Sequence, residues 1–445
     1  MGATLARMTR RKPTLLHFAD TPATLGVRNS DGSKSTGSLR ELVERHCPTL
    51  FSGFKPVWWL WNGHLQTIYC VLGDFSKTDV LHYSRKLLQV VEGGTMCRSG
   101  FCSCGEASAI PDDAPIIVVL HGLTGGNLAY APTKAMCALS LYLPSNTVAI
   151  VPLLSISEDA GAGVPITSGQ MYSAGYTGDI RQALIYISKL YPRAQLFGLG
   201  FSLGANVLTR YLAEEQEKSR LQAACVLACP WDLARNNHVL RYSFLGRFYS
   251  RAMGTNLINL VKRNFDSLTK HSNLIEPVTN VINLKNALLD DFDENFTRVA
   301  GGSPPEFPFP SAQAYYNWAS SHEIVHKIRV PFLAINAADD PVVQHVPFDG
   351  GGNGLAVMAL TASGGHLGWF HGKTERWITR PVLEWMDLVS KVLVQSPQER
   401  AMIYTHDDGF LKEEGRDGGV KLVGETLIEA SAWDGVEVKG SLQGL

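Results

Sequence analysis

The chain has 445 residues, 45% hydrophobic and 18% charged, with a formal net charge of −1. The charged share lies below the roughly 25% usual in globular domains, and the aliphatic content suits a large buried core, which excludes a disordered chain. A balance this near neutrality leaves no basic surplus to release counterions from nucleic acid, so no nucleic-acid partner is expected.

Residues 1–53 read as an N-terminal extension, partly disordered. The first stretch is basic (Arg7, Arg10, Arg11, Lys12) and lacks the apolar run of a secretory signal; it reads as a frayed tail, a mitochondrial presequence being the alternative. Residues 21–38 read as loop, and Leu39 to His46 as a short amphipathic helix. The aromatic block Val57-Trp58-Trp59-Leu60-Trp61 is expected to pack on the core, the alternative being an exposed membrane or substrate contact. Eight cysteines are few for this length, and several sit in apolar runs; they read as reduced thiols of an intracellular, cytoplasmic protein. Cys97, Cys102 and Cys104 cluster, but no second half of a zinc site follows them, so no metal is expected.

From residue 54 to 230 short apolar runs alternate with helical patterns. Ile116–Leu120 is a continuous β-branched run, as in a strand covered on both faces; Val148–Pro152, Leu196–Leu199 and Ala224–Ala228 are similar. Helical spacing follows in Ile180–Leu190 and Val207–Ala213. After about a hundred residues come Phe332–Ile335, Leu355–Leu360 and a helix from about Thr379 to Val394. The alternation predicts an α/β fold with a mostly parallel central sheet and helices on both faces. The segment 231–329 is too long for a loop and reads as a helical cap inserted over the carboxyl edge of the sheet. The core resumes over 330–395. Residues 396–445 are Gly-rich and mostly acidic and read as a flexible tail. The longest apolar runs fall far short of the about 20 residues that span a bilayer.

The chemistry lies in Gly198-Leu199-Gly200-Phe201-Ser202-Leu203-Gly204. Here Gly-x-Ser-x-Gly follows a predicted strand and opens a predicted helix, the setting of a nucleophile elbow, so Ser202 is the candidate nucleophile. A serine hydroxyl needs a base. His366 stands in Ser363-Gly364-Gly365-His366-Leu367-Gly368, after the last apolar strand; His371 is a nearby competitor beyond that turn. The group that orients the imidazole should follow the strand before, where Asp339 and Asp340 both fit. Ser, then Asp, then His is the chain order of α/β-hydrolases rather than of other serine-hydrolase folds. The oxyanion donors are expected to be the N–H of Leu203, directly after the nucleophile, and that of Leu123, in the turn His121-Gly122-Leu123-Thr124-Gly125-Gly126 after Ile116–Leu120. His121 is assigned a structural part.

These segments, with Asn62-Gly63-His64-Leu65-Gln66-Thr67, Tyr172 through Asp179, Ala228-Cys229-Pro230-Trp231-Asp232-Leu233 and Asn336 through Pro341, resemble AB hydrolase family 4 of the α/β-hydrolase superfamily over roughly residues 54–395. That family holds acylglycerol and phospholipid lipases and fungal medium-chain fatty-acid ethyl ester synthase/esterases. The resemblance implies that the acid is the aspartate directly before Pro341, hence Asp340. It also implies a serine esterase or lipase acting on medium-chain acyl esters without metal or cofactor. The alternative is acyl transfer from acyl-CoA to an alcohol, and an inactive binding protein is a further one. The implied partners are a lipid ester or acyl-CoA, with peripheral contact to a membrane or lipid droplet. One stretch departs: between Gly126 and Val164 the family's Ser-Tyr-Val-Arg-like helix start and Asn-x-Arg-Gly turn are replaced by Asn127–Pro132 and Leu153–Gly161, without the arginine.

Overall fold

A computed structural model describes residues 12–73, 83–91, 93–101, 111–123, 149–154, 167–394 and 400–428. The strands in chain order are β1 (Leu15–Phe18), β2 (Thr24–Arg28), β3 (Lys34–Ser38), β4 (Tyr83–Val90), β5 (Thr95–Phe101), β6 (Ile116–Leu120), β7 (Ala149–Leu154), β8 (Leu196–Phe201), β9 (Ala223–Leu227), β10 (Phe332–Ala337), β11 (Ala356–Thr361), β12 (Ile403–Thr405), β13 (Leu411–Glu413) and β14 (Gly419–Ile428). Apart from the hairpin β2–β3, all join one sheet in the order β1-β11-β10-β9-β8-β6-β7-β5-β4-β14-β13-β12.

The six strands from β7 to β11 through β6 and β8 are parallel. Their alternation explains the continuous apolar runs. Ile117, Val119, Phe197, Leu199, Cys225 and Leu227 face one layer, against the helices Leu39–His46 (α1) and Thr379–Asp387, through Val43, Trp385 and others. Ile116, Val118, Leu196, Ala224 and Val226 face the other, against Gly178–Leu190 and Leu203–Glu215, through Leu184, Leu208 and Tyr211. β6, β8 and β9 are therefore buried on both sides, as parallel sheets require.

The order also fixes where a ligand can enter. From β6 the chain moves to β7 on one side and then returns to β8 on the other. A crevice opens at such a reversal, outside the carboxyl ends of the two strands. Leu120 lies opposite Gly200 there, so the turns after β6 and β8 meet.

Several expectations are corrected. The stretch 21–38 is not loop throughout: β2 and β3 pair antiparallel, and Ser38 opens α1 with a capping box, its N–H donating to Glu41 Oε2 at 3.3 Å. The extension also supplies β1, antiparallel to β11. The expected flexible tail holds β12, β13 and β14 between residues 403 and 428. β14 runs antiparallel to β4, and buried Val420 joins the core beside Val90. Ion pairs anchor this strap as well: Arg220 Nε donates to Glu413 Oε1 at 3.0 Å, both side chains being buried, and Arg416 donates to Glu215 at 2.9 Å. Residues 429–445 lie outside the described residues, as do 124–148 and 155–166, which carry most of the departure from the family pattern, and Cys102, Cys104 and Cys137.

Between β9 and β10 every described element is helical, including Leu233–Tyr242 (α2), Phe244–Arg263 (α3), Ile275–Ile282 (α4) and Ala312–Ala319 (α5). Among the described residues no helix is long and apolar enough to cross a membrane.

Candidate active site

Ser202 is held at φ 49°, ψ −118°, between the last residue of β8 and the first turn of Leu203–Glu215. A non-glycine residue with positive φ stores strain, which the surroundings must hold. Its N–H donates to Leu227 O of β9 at 2.9 Å, and its carbonyl accepts from Ala205 and Asn206. The flanking glycines are steric requirements. A Cβ on Gly200 would lie 2.7 Å from Ala205 Cα, and one on Gly204 would lie 2.4 Å from the His121 carbonyl oxygen. That closeness is used: Gly204 N–H donates to His121 O at 3.0 Å, tying the turn after β6 to the elbow. Leu203 stands at the first helical position, where an N–H has no acceptor within its own helix. Tyr172 OH donates to Leu123 O, which pins the other expected oxyanion residue beside it.

The structure brings the three polar candidates together. His366 Nε2 is 2.8 Å from Ser202 Oγ, and His366 Nδ1 is 2.9 Å from Asp340 Oδ2. The other Asp340 oxygen accepts the N–H groups of Val342 and Val343 at 2.8 and 3.0 Å. A carboxylate so fixed can only accept, which favours the tautomer with the proton on Nδ1 and leaves Nε2 free to take one. Both side chains are buried. Asp339 has different work: its Oδ1 accepts Gly365 N–H at 2.9 Å and shapes the histidine loop, and burial, then the neighbouring Asp340 charge, pushes its carboxyl up. His371 is not in this chain of contacts; its N–H donates to Glu375 O.

The sequence motifs beyond the elbow turn out to be supports. Thr67 Oγ1 accepts His366 N–H at 2.8 Å and donates to Gly63 O at 2.7 Å. Gln66 donates to Leu60 O at 2.8 Å and Phe370 O at 3.2 Å, and accepts from Phe370 N–H at 2.8 Å, so it clamps the exit of the same loop. Trp231 donates its indole N–H to Asn336 Oδ1 at 3.1 Å, joining the ends of β9 and β10. Asn206, fully buried, bridges Ala174 O and Ala319 O. None of these was assigned a part from sequence alone; their residue types were visible, but their partners lie far along the chain.

Over Ser202 and His366 lies a pocket with about 910 Å³ of empty space, its open mouth included. Its wall is mostly apolar: Leu123, Leu203 and Val342 from the core side, and Leu240, Met253, Leu257, Phe292 and Phe296 from the helices after β9. Leu257 of α3 lines the pocket. Tyr249 stacks on His64 at 5.9 Å, and Leu260 packs inside the cap. Tyr242, Phe244, Leu245 and Phe248 point outward, Phe244 being 90% exposed. Among the described residues no group of three or more His, Cys, Asp or Glu side chains is placed to hold a metal ion.

The reversal in strand order, the elbow and the Ser202–His366–Asp340 contacts define the α/β-hydrolase fold. The chain is similar to the monoacylglycerol lipase of Saccharomyces cerevisiae, 27% identical over 400 residues that cover 79% of this chain and 84% of the relative. The medium-chain fatty acid ethyl ester synthase/esterase 2 of the same yeast is 27% identical over 446 residues, covering 86% and 96%. The human monoacylglycerol lipase ABHD2 is 27% identical over 363 residues, covering 78% and 81%. No family model matches the chain.

Proposed function

We propose that the protein is a serine carboxylic-ester hydrolase that cleaves medium-chain acyl esters, acylglycerols among them, through an acyl-enzyme on Ser202. The observation that carries this reading is the continuous relay from Ser202 Oγ through His366 to Asp340, at 2.8 and 2.9 Å, opening into an apolar pocket. Ser202 Oγ forms the bond to the ester carbonyl carbon while His366 Nε2 takes its proton. Asp340 holds the imidazole and stabilises its cation. The N–H groups of Leu203 and Leu123 receive the charge on the carbonyl oxygen. The C–O bond to the alcohol breaks, and His366 returns the proton to it. Water then repeats the sequence on the acyl-enzyme, releasing the acid and restoring Ser202. The names of the yeast and human relatives support the substrate class.

An alcohol replacing water in the second half would give ester synthesis from an acyl thioester, and the second yeast relative's name favours testing for it. Contact with a lipid surface belongs to the same reading, because Tyr242, Phe244, Leu245 and Phe248 are exposed on the cap helices. The unpaired thiols of Cys47, Cys70, Cys225 and Cys229 support an intracellular setting.

The test uses p-nitrophenyl esters from acetyl to palmitoyl and octanoyl-CoA, each with and without ethanol, with free acid and ethyl ester quantified. Wild type should release free acid and take a fluorophosphonate label. Ser202→Ala should do neither. Undiminished labelling of that variant would remove Ser202 from the role.

A further inference from the structure

The cap carries a charge pattern that the chain as a whole does not share. Net charge over the full sequence is −1, yet from Leu233 to Phe265 there are six basic residues and no acidic one. Asp290 and Asp291 answer Arg241. Arg247 and Arg251 are exposed on α3 and make no ion pair among the described residues. At about 3.6 residues per turn, Phe244, Phe248, Arg251, Thr255 and Lys262 fall on one outward stripe of this helix, with Leu245 and Arg247 at its margins. The opposite face carries Met253 and Leu257 into the pocket wall.

The exposed patch extends beyond the cap. Tyr249 OH lies 3.0 Å from His64 Nδ1 and the two rings stack, which sets α3 against the helix Gly63–Leu72. One turn on from His64, Ile68 is exposed. Tyr69 meets Trp59 edge-on at 4.7 Å, and the nearby Trp58 and Trp61 reach solvent. Residues 45–73, which include this helix, also contain no acid.

Exposed apolar side chains grouped in this way mark an interaction site, and the charge selects the occupant. A second copy of the chain on a two-fold axis would set Arg247 and Arg251 against their own counterparts with no acid to meet them. A neutral oil surface would leave the arginines without counter-charge. A bilayer with anionic headgroups suits both groups of residues: the aromatic rings enter the boundary between headgroups and acyl chains, and the guanidinium groups pair with phosphate and carboxylate.

We infer that the outward stripe of α3, with Ile68, Trp58 and Trp61 beside it, docks the protein on an anionic phospholipid bilayer, α3 lying along the membrane plane and its Met253–Leu257 face turned to the pocket. The purpose of this contact, delivery of a lipid ester to Ser202, rests on the ester-hydrolase reading above; the surface itself is tested apart from it.

The experiment floats full-length protein with vesicles of phosphatidylcholine alone, with vesicles that also hold about 30% phosphatidylserine, and with triolein droplets coated by phosphatidylcholine, at about 0.1 and about 0.5 M NaCl. Each arginine near an anionic surface is worth about fivefold, so wild type should bind the anionic vesicles about 25-fold more tightly than either neutral surface, and less so at the higher salt. Arg247→Gln with Arg251→Gln should erase most of that margin and leave neutral binding unchanged. Phe244→Ser with Phe248→Ser should weaken binding to all three surfaces. Both variants should keep kcat/KM on p-nitrophenyl butyrate, a substrate dissolved in water, within about twofold of wild type, which shows that they fold. Equal binding of wild type to neutral and anionic surfaces, or anionic binding untouched by the arginine changes, overturns the proposal. So does a wild-type dimer in sedimentation velocity that the phenylalanine changes dissociate, since the face would then belong to a second copy. Anionic binding as expected from a wild type that hydrolyses no p-nitrophenyl ester would instead overturn the hydrolase reading and leave the surface standing.

Discussion

Thr67 and His366 are 299 residues apart and share a 2.8 Å hydrogen bond in which the threonine hydroxyl accepts the histidine's backbone N–H. The same hydroxyl donates to Gly63 O, so the first turn of the helix Gly63–Leu72 and the histidine loop are locked through one oxygen. The proposed base is thus positioned by a side chain outside the Ser202–His366–Asp340 contacts.

Thr67→Val keeps the shape and removes that oxygen. The buried His366 N–H loses its acceptor, and the imidazole is free to drift from Ser202. We expect kcat to fall about ten- to a hundredfold with little change in KM, because displacement of a reacting group by about 1 Å costs on that order. Thr67→Ser should restore most of it. Steady-state kinetics on p-nitrophenyl octanoate decide the matter; a change confined to KM would show that Thr67 acts on binding instead.

The paired aspartates make a second comparison. Asp340→Asn deprives Nδ1 of its charged acceptor and should lower kcat by about 10⁴-fold, as in other triads. Asp339→Asn keeps an oxygen for the Gly365 N–H and should cost less than about tenfold. If the Asp339 variant proved the more damaged, the charge at 340 would not be what steadies the imidazole.

Asp293 should leave its mark on stability rather than on chemistry. Burial pushes its carboxyl up to about 6, from 3.8, even though the Thr297 and Tyr316 hydroxyls pull it down. A folded-state value above the unfolded one means that the fold holds the proton between those limits. Its contribution is therefore most favourable below pH 3.8 and is lost as pH rises through 6. Asp293→Asn lacks this proton, so it should gain on wild type between pH 4.5 and pH 7.5, by at most on the order of 3 kcal/mol. Urea unfolding of both proteins at these pH values measures the difference. An equal gap at the two ends would mean that Asp293 is ionised throughout.

The apolar wall predicts a chain-length trend. Each added methylene that enters the pocket contributes up to about 0.8 kcal/mol. In a p-nitrophenyl series kcat/KM should climb from acetyl to about octanoyl and then level off or fall. Replacing Leu257 by Ala should flatten the climb, since this side chain faces the pocket. Faster turnover of acetyl than of octanoyl esters would place the acyl chain elsewhere.

The parallel core was legible in the sequence because its signal is local. Ile116–Leu120 is buried at every position, and only a strand covered on both faces reads that way. The elbow was legible because Gly200 and Gly204, which close backbone approaches require, flank Ser202 in the sequence itself. What escaped depends on distant partners. Gly419-Val420-Lys421-Leu422 alternates, but its Gly-rich, charged surroundings resemble a loose tail, and only pairing with β4 makes it a strand. The aromatic character of Tyr242, Phe244 and Phe248 suggests burial, whereas α2 and α3 turn these side chains to solvent.

Both flanks of the large sheet are finished by strands from outside the parallel core, β1 against β11 and β12–β14 beyond β4. Removing residues 400–428 would not touch Ser202, His366 or Asp340, yet it would leave the eight-residue edge of β4 with a row of unpaired amides and carbonyls. Such an edge is a template on which another copy of the chain can add a strand. A shortened form would then be lost to self-association while its chemistry stayed intact, and an inactive truncation would report on solubility rather than on catalysis.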